Sequence, residues 1–69
     1  MRITDVGREK RGGYVFDWWI GDHTPKHVHV YKDGHLLAKI QVPDILVLNG
    51  HASKRVLKLL QELIDEGKL

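Results

Sequence analysis

The chain contains no cysteine. That excludes disulfide staples and thiolate metal sites, and it suits a reducing compartment. Long apolar runs are also missing. No segment approaches the roughly 20 apolar residues of a membrane-spanning helix. The opening M-R-I-T-D-V-G lacks the apolar stretch of a signal peptide. These absences point to a soluble, cytoplasmic protein with no membrane partner. An excess of charge is lacking too. Eleven basic residues face nine acidic ones, a net charge of +2, and nucleic-acid binding argued from charge needs a clustered basic patch. Size is the last scarcity. Sixty-nine residues make one domain, residues 1–69, and such a chain buries only roughly 60% of its unfolded surface. Folds this small often lean on a metal or a partner chain.

What the chain does have is β-forming sequence followed by one amphipathic stretch. Met1–Gly7 reads as a weak first strand, and R-E-K-R-G-G over Arg8–Gly13 as a turn. Tyr14–Ile20 (Y-V-F-D-W-W-I) is rich in aromatic and β-branched residues, which suit a pleated surface. Its alternation sets Tyr14, Phe16, Trp18 and Ile20 on one face, with Val15, Asp17 and Trp19 on the other. Gly21–Lys26 reads as a loop, stiffened by Pro25. His27–Tyr31 and Leu36–Val42 read as a third and a fourth strand.

Alternation also sets an expected register for this hairpin. Leu36, Ala38, Ile40 and Val42 form one apolar row, and Val28 and Val30 another. A two-residue Asp33-Gly34 turn would pair Tyr31 with Leu36 and carry His29 to the core face beside Ala38. A three-residue loop, Lys32-Asp33-Gly34, pairs Tyr31 with His35 and keeps both apolar rows together, using Gly34 in a left-handed position. The second arrangement is the expectation, since a one-residue slip would turn an apolar row to solvent. It places His27, His29, Tyr31, His35 and Lys39 on the non-core face.

Pro43-Asp44 should end the sheet, with Ile45–Leu48 unassigned and Asn49-Gly50 a turn. A helix is expected over Ser53–Glu66, capped by Ser53 and stopped at Gly67. Val56, Leu57, Leu60, Leu63 and Ile64 recur at helical spacing. The expected fold is therefore α+β: an antiparallel meander of three to four strands with one C-terminal helix packed on one face. Lys54, Arg55 and Lys58 lie near the helix start and Glu62, Asp65 and Glu66 near its end, the reverse of what the helix dipole favours. A basic first turn beside free amides suits an anion such as phosphate.

Chemistry concentrates in D-H-T-P-K-H-V-H-V, Asp22–Val30, which carries three of the five histidines within seven residues. His27 and His29 share a strand face about 6.6 Å apart at the backbone. Three readings follow. With Asp22 and His23 they supply nitrogen and oxygen donors for a divalent ion such as zinc; G-x5-H-x-H over Gly21–His29 is similar to the first metal motif of cupins, without a second motif. Alternatively His27 or His29 acts as a general acid or base, with Lys26, Lys39 or Arg55 holding a phosphodiester. Or the imidazoles are polar residues of a solvated strand face. Among the remaining residues, Lys39, Lys54 and Arg55 are candidate anion or partner contacts. Trp19 suits a stacked base, a partner's pocket or local packing.

The motif D-H-x-P-x-H-V-H-V, carried by Asp22, His23, Pro25, His27, Val28, His29 and Val30 and followed by Gly34, resembles a small bacterial domain-of-unknown-function family, number 4160. Members usually carry a second proline where this chain has Lys26. The resemblance implies a component of a toxin–antitoxin-like module, with a second small protein encoded nearby as partner. His27–Ile64 is similar, more loosely, to HicA-type mRNA interferases, which carry a histidine on a hairpin strand followed by a helix. Their N-terminal helix has no counterpart here. The composite expectation is a small binding protein working through its histidine-bearing face, with itself or a neighbouring protein as partner. An RNA-cleaving or metal-dependent enzyme is the alternative, and a structural domain with no chemistry at the histidines is the third.

Overall fold

The computed structural model describes residues 5–20 and 26–69. Part of the expected first strand and two of the candidate metal ligands, Asp22 and His23, lie outside the described residues. Among those described, five strands form one antiparallel sheet in sequential order: β1 (Asp5–Arg11), β2 (Tyr14–Ile20), β3 (Lys26–Lys32), β4 (His35–Val42) and β5 (Leu46–Gly50). One helix, α1 (Lys54–Asp65), follows. The α+β meander is as expected, with five strands instead of three or four.

The added strand is β5, over the stretch left unassigned and the expected Asn49-Gly50 turn, and tight glycine turns reset the ends of the others. Gly12 and Gly13 both hold positive φ (61° and 85°), the backbone that joins antiparallel strands in two residues. Arg8–Arg11, expected as a turn, is therefore strand, paired from Arg8 with Asp17 to Arg11 with Tyr14. The β3–β4 connection works the same way. Asp33 and Gly34 have φ of 52° and 79°, and Lys32 pairs with His35 and Tyr31 with Leu36. The expected three-residue loop is thus incorrect, and so is the pairing of Tyr31 with His35. The core is rescued one step further on. A bulge takes Leu37 out of the ladder, so Val30 pairs with Ala38, Val28 with Ile40 and His29 with Lys39. The extra residue shifts the strand by one. Leu36, expected in the core, is 55% exposed. His35 stands opposite Lys32 on the helix side, away from His27 and His29.

The core lies between α1 and the central strands. Phe16, Trp18, Val28, Val30, Ala38, Ile40 and Val42 meet Val56, Leu59, Leu60 and Leu63, all buried. Gly7 makes room for this layer: a Cβ there would stand 2.3 Å from the Trp18 indole. The Ser53 hydroxyl accepts from the Val56 amide at 3.2 Å. At the other end Gly67 N–H donates to Ile64 and Lys68 N–H to Leu63, the paired bonds that close a helix on a left-handed glycine.

The reversed helix charge finds its reason in β1. Arg11 holds Glu66 through two hydrogen bonds of 2.7 and 2.9 Å, with Glu62 at 3.7 Å and Glu9 at 3.3 Å. The hydrogen bond from Arg11 keeps the Glu66 carboxyl below the usual carboxylate range, against some desolvation and with help from the charges of Arg11 and Lys68. A depressed folded pKa stabilises above the unfolded value and is lost as pH falls through the folded one. This clasp should therefore be intact above about pH 4.3, the ordinary glutamate value, and weaken below it. Thermal unfolding from pH 3 to 7 checks this: Glu66→Gln should flatten the acid limb, and an unchanged limb would show that the clasp contributes nothing.

Candidate functional site

With α1 on one side, the sheet's other face is uncovered by any described element. The register lays a polar row straight across it: Arg8, Asp17, His29, Lys39 and Asn49, each paired with the next on β1 through β5. Arg8 grips Asp17 with two hydrogen bonds, Nε to Oδ1 at 2.7 Å and Nη2 to Oδ2 at 2.9 Å. Asp17 is mostly shielded, its side chain 16% exposed. The hydrogen bond and then the charge of Asp17 raise the Arg8 pKa further, so the guanidinium stays charged.

On one side of this row stand Val15 and Tyr31. On the other stand Trp19 and His27, with Gln41 opposite His27. Tyr31 stands beside His29 on the same strand, the ring centroids 6.5 Å apart. Trp18-Trp19 divides as expected, Trp18 into the core and Trp19 46% exposed. Arg8, Asp17, Trp18, Trp19, His29 and Tyr31 line a depression of about 240 Å³.

The structure thus brings together Trp19, His27, His29 and Lys39. It does not bring Lys54 and Arg55 to them. Both are exposed in the first turn of α1, in the opposite layer, and Arg55 lies beside the β1–β2 turn at Gly12. A phosphate held by Lys54 or Arg55 would not reach the strand histidines. Among the described residues no group of three or more histidine and acidic side chains is placed to hold a metal ion. His27 and His29 offer two imidazoles, and a third donor would have to come from Asp22 or His23. Arg8 is the residue that sequence reading missed. Taking Gly12-Gly13 as a two-residue turn would have set it opposite Asp17.

Fold and surface together define a small α+β domain, with one covering helix among the described residues and, opposite it, an aromatic- and histidine-bearing sheet face that no described element covers. Residues 13–68 match the family model described as Domain of unknown function (DUF4160), and the chain belongs to that family. No curated protein and no solved structure shows a significant match to it.

Proposed function

We propose that this chain is a binding component of a toxin–antitoxin-like pair in the cytoplasm, and that the bare sheet face meets the partner, a second small protein. One observation carries the reading. Trp19 stands half exposed on β2, lining the depression it forms with Arg8, Asp17, His29 and Tyr31. Tryptophan, tyrosine and arginine around a shallow depression are the residue types that dominate binding energy at protein interfaces. Calorimetric titration against the protein encoded by the adjacent gene tests it. Trp19→Ala should weaken binding by about 10- to 100-fold, as truncated interface anchors do, with the fold intact. Unaltered affinity would retire this face as the interface.

A second reading is chemical, and the placement of Asp17 next to His29 favours it. A carboxylate beside an imidazole can orient it as a general base, Lys39 on its other side offers a phosphate contact, and Trp19 offers a stacking plane for a base. A divalent ion such as zinc at His27 and His29, completed by Asp22 or His23, is the metal form of the same idea. Titrating the histidine ring resonances separately with Zn²⁺ and short RNA separates the two. Metal needs neutral imidazole, so its affinity should fall in acid. RNA affinity should rise there, since imidazolium attracts phosphate. Rings that respond to neither leave the protein-binding reading alone.

A further inference from the structure

We propose that β5 is a self-pairing edge: two copies of this chain join antiparallel along β5, about a two-fold axis normal to the sheet, into one continuous sheet with both helices on the same side. This goes beyond the reading of the bare face and does not depend on it.

The two edges of the sheet are built differently. The outer strand β1, D-V-G-R-E-K-R, is charged at Asp5, Arg8, Glu9, Lys10 and Arg11, the usual protection of an open edge against further pairing. The opposite edge, β5, is L-V-L-N-G and carries no charge at all. All of its residues are exposed, with Leu46, Val47 and Leu48 at 52, 37 and 42%. This strand is apolar toward both faces. Leu46 pairs with Gln41 and so lies on the bare face; Val47 pairs with Ile40 and so lies on the helix face. Ile40 is fully buried and Val47 is not. The buried hydrophobic residues of the sheet come from β2, β3 and β4, so the last strand overhangs the core. A bulge takes Leu48 out of the β4 ladder, leaving a third apolar side chain at the rim.

An unpaired row of backbone amides and carbonyls, flanked above and below by apolar side chains, calls for another strand. Its chemistry selects a second β5. Antiparallel pairing of an uncharged strand with itself sets no like charges opposite one another. Pairing β5 onto β1 would set apolar side chains against charged ones, and such a head-to-tail contact would propagate instead of closing. The two-fold contact closes. It brings Val47 of each copy together on the helix side, in the gap between the two helices, and the Leu46 side chains onto the bare side. Because an axis normal to the sheet preserves its faces, both Trp19–His29 depressions end up on one surface. A two-headed partner could then engage both, with the gain in avidity that linked sites provide.

Sedimentation equilibrium of the full chain is the test. The 8.0 kDa chain should sediment at twice that mass, and the double variant Val47→Lys/Leu48→Lys at the monomer mass with its circular dichroism unchanged. Should the double variant fail to fold, Leu48→Lys alone, at the bulge, is read the same way. Trp19→Ala should remain dimeric. A wild-type chain that stays monomeric up to about 1 mM, a lysine variant that stays dimeric, or a dimer that Trp19→Ala dissolves would each overturn edge pairing, the last by moving the interface to the bare face.

Discussion

Gly50→Ala is expected to destabilise the fold by about 2–5 kcal/mol, combining left-handed strain of about 1–2 kcal/mol with overpacking of about 1–3 kcal/mol. Gly50 has φ +77°, and a Cβ there would stand 2.1 Å from the Leu37 carbonyl oxygen and 2.9 Å from the Ala38 Cα. Both atoms are backbone, so no side chain can swing aside. The end of β5 would have to leave β4, taking with it the 3.1 Å bond from the His51 amide to the Leu37 carbonyl. Gly67 provides the control. Its φ is +79° with nothing within 4 Å of an added Cβ, so Gly67→Ala should carry only the backbone strain, about 1–2 kcal/mol. A domain of this length has about 3–10 kcal/mol of stability in total, so the first substitution threatens the fold and the second does not. Urea unfolding of both variants measures the difference, and equal midpoints would show that the Gly50 approach is not felt.

The same glycine explains part of what the sequence concealed. Asn49-Gly50 carries the composition of a turn, yet both residues lie in β5. Gly50 is there because another strand's backbone passes too close for a side chain, a tertiary fact that no local pattern states. The rest of β5 was hidden because L-V-L shows no alternation, and it shows none because the strand has no buried face to alternate with. By contrast, Tyr14–Ile20 and Ser53–Gly67 were legible almost to the residue. Each carries a full period of burial, and the helix also has both caps written in its sequence.

The β3–β4 hairpin is a more instructive case. Two rules pointed in different directions: Asp-Gly favours a two-residue turn with both residues at positive φ, while the apolar rows demanded a one-residue offset. Both were satisfied, the first in the turn and the second by the bulge at Leu37. Placing the offset in the loop put Leu36 and His35 on the wrong sides, yet His27, His29 and Lys39 came out on the correct face. The candidate site was legible to that extent. Arg8 was not, because the charged run Arg8–Arg11 has the composition of a loop. As an edge strand it is charged for a different reason, the protection of an open edge.

Strand β2 carries both the largest fully buried side chain and the exposed anchor of the proposed site, three residues apart and on opposite faces, so it can separate stability from function. Phe16 is fully buried, paired with Val30 and covered by the helix. Phe16→Ala removes a ring that the neighbours cannot replace, and such truncations cost about 3–5 kcal/mol. Against a total of about 3–10 kcal/mol, the variant should be partly or wholly unfolded at room temperature. Trp19→Ala removes a larger ring from the same strand, but one already half in water, and surface changes of that kind usually stay within about 0.5 kcal/mol. Measured side by side, Phe16→Ala should lose the cooperative unfolding transition. Trp19→Ala should keep the transition and lose affinity for the partner. The opposite pattern, a large stability loss at Trp19 with binding preserved, would mean that its indole packs as part of the fold and that the bare face is bare for no functional reason.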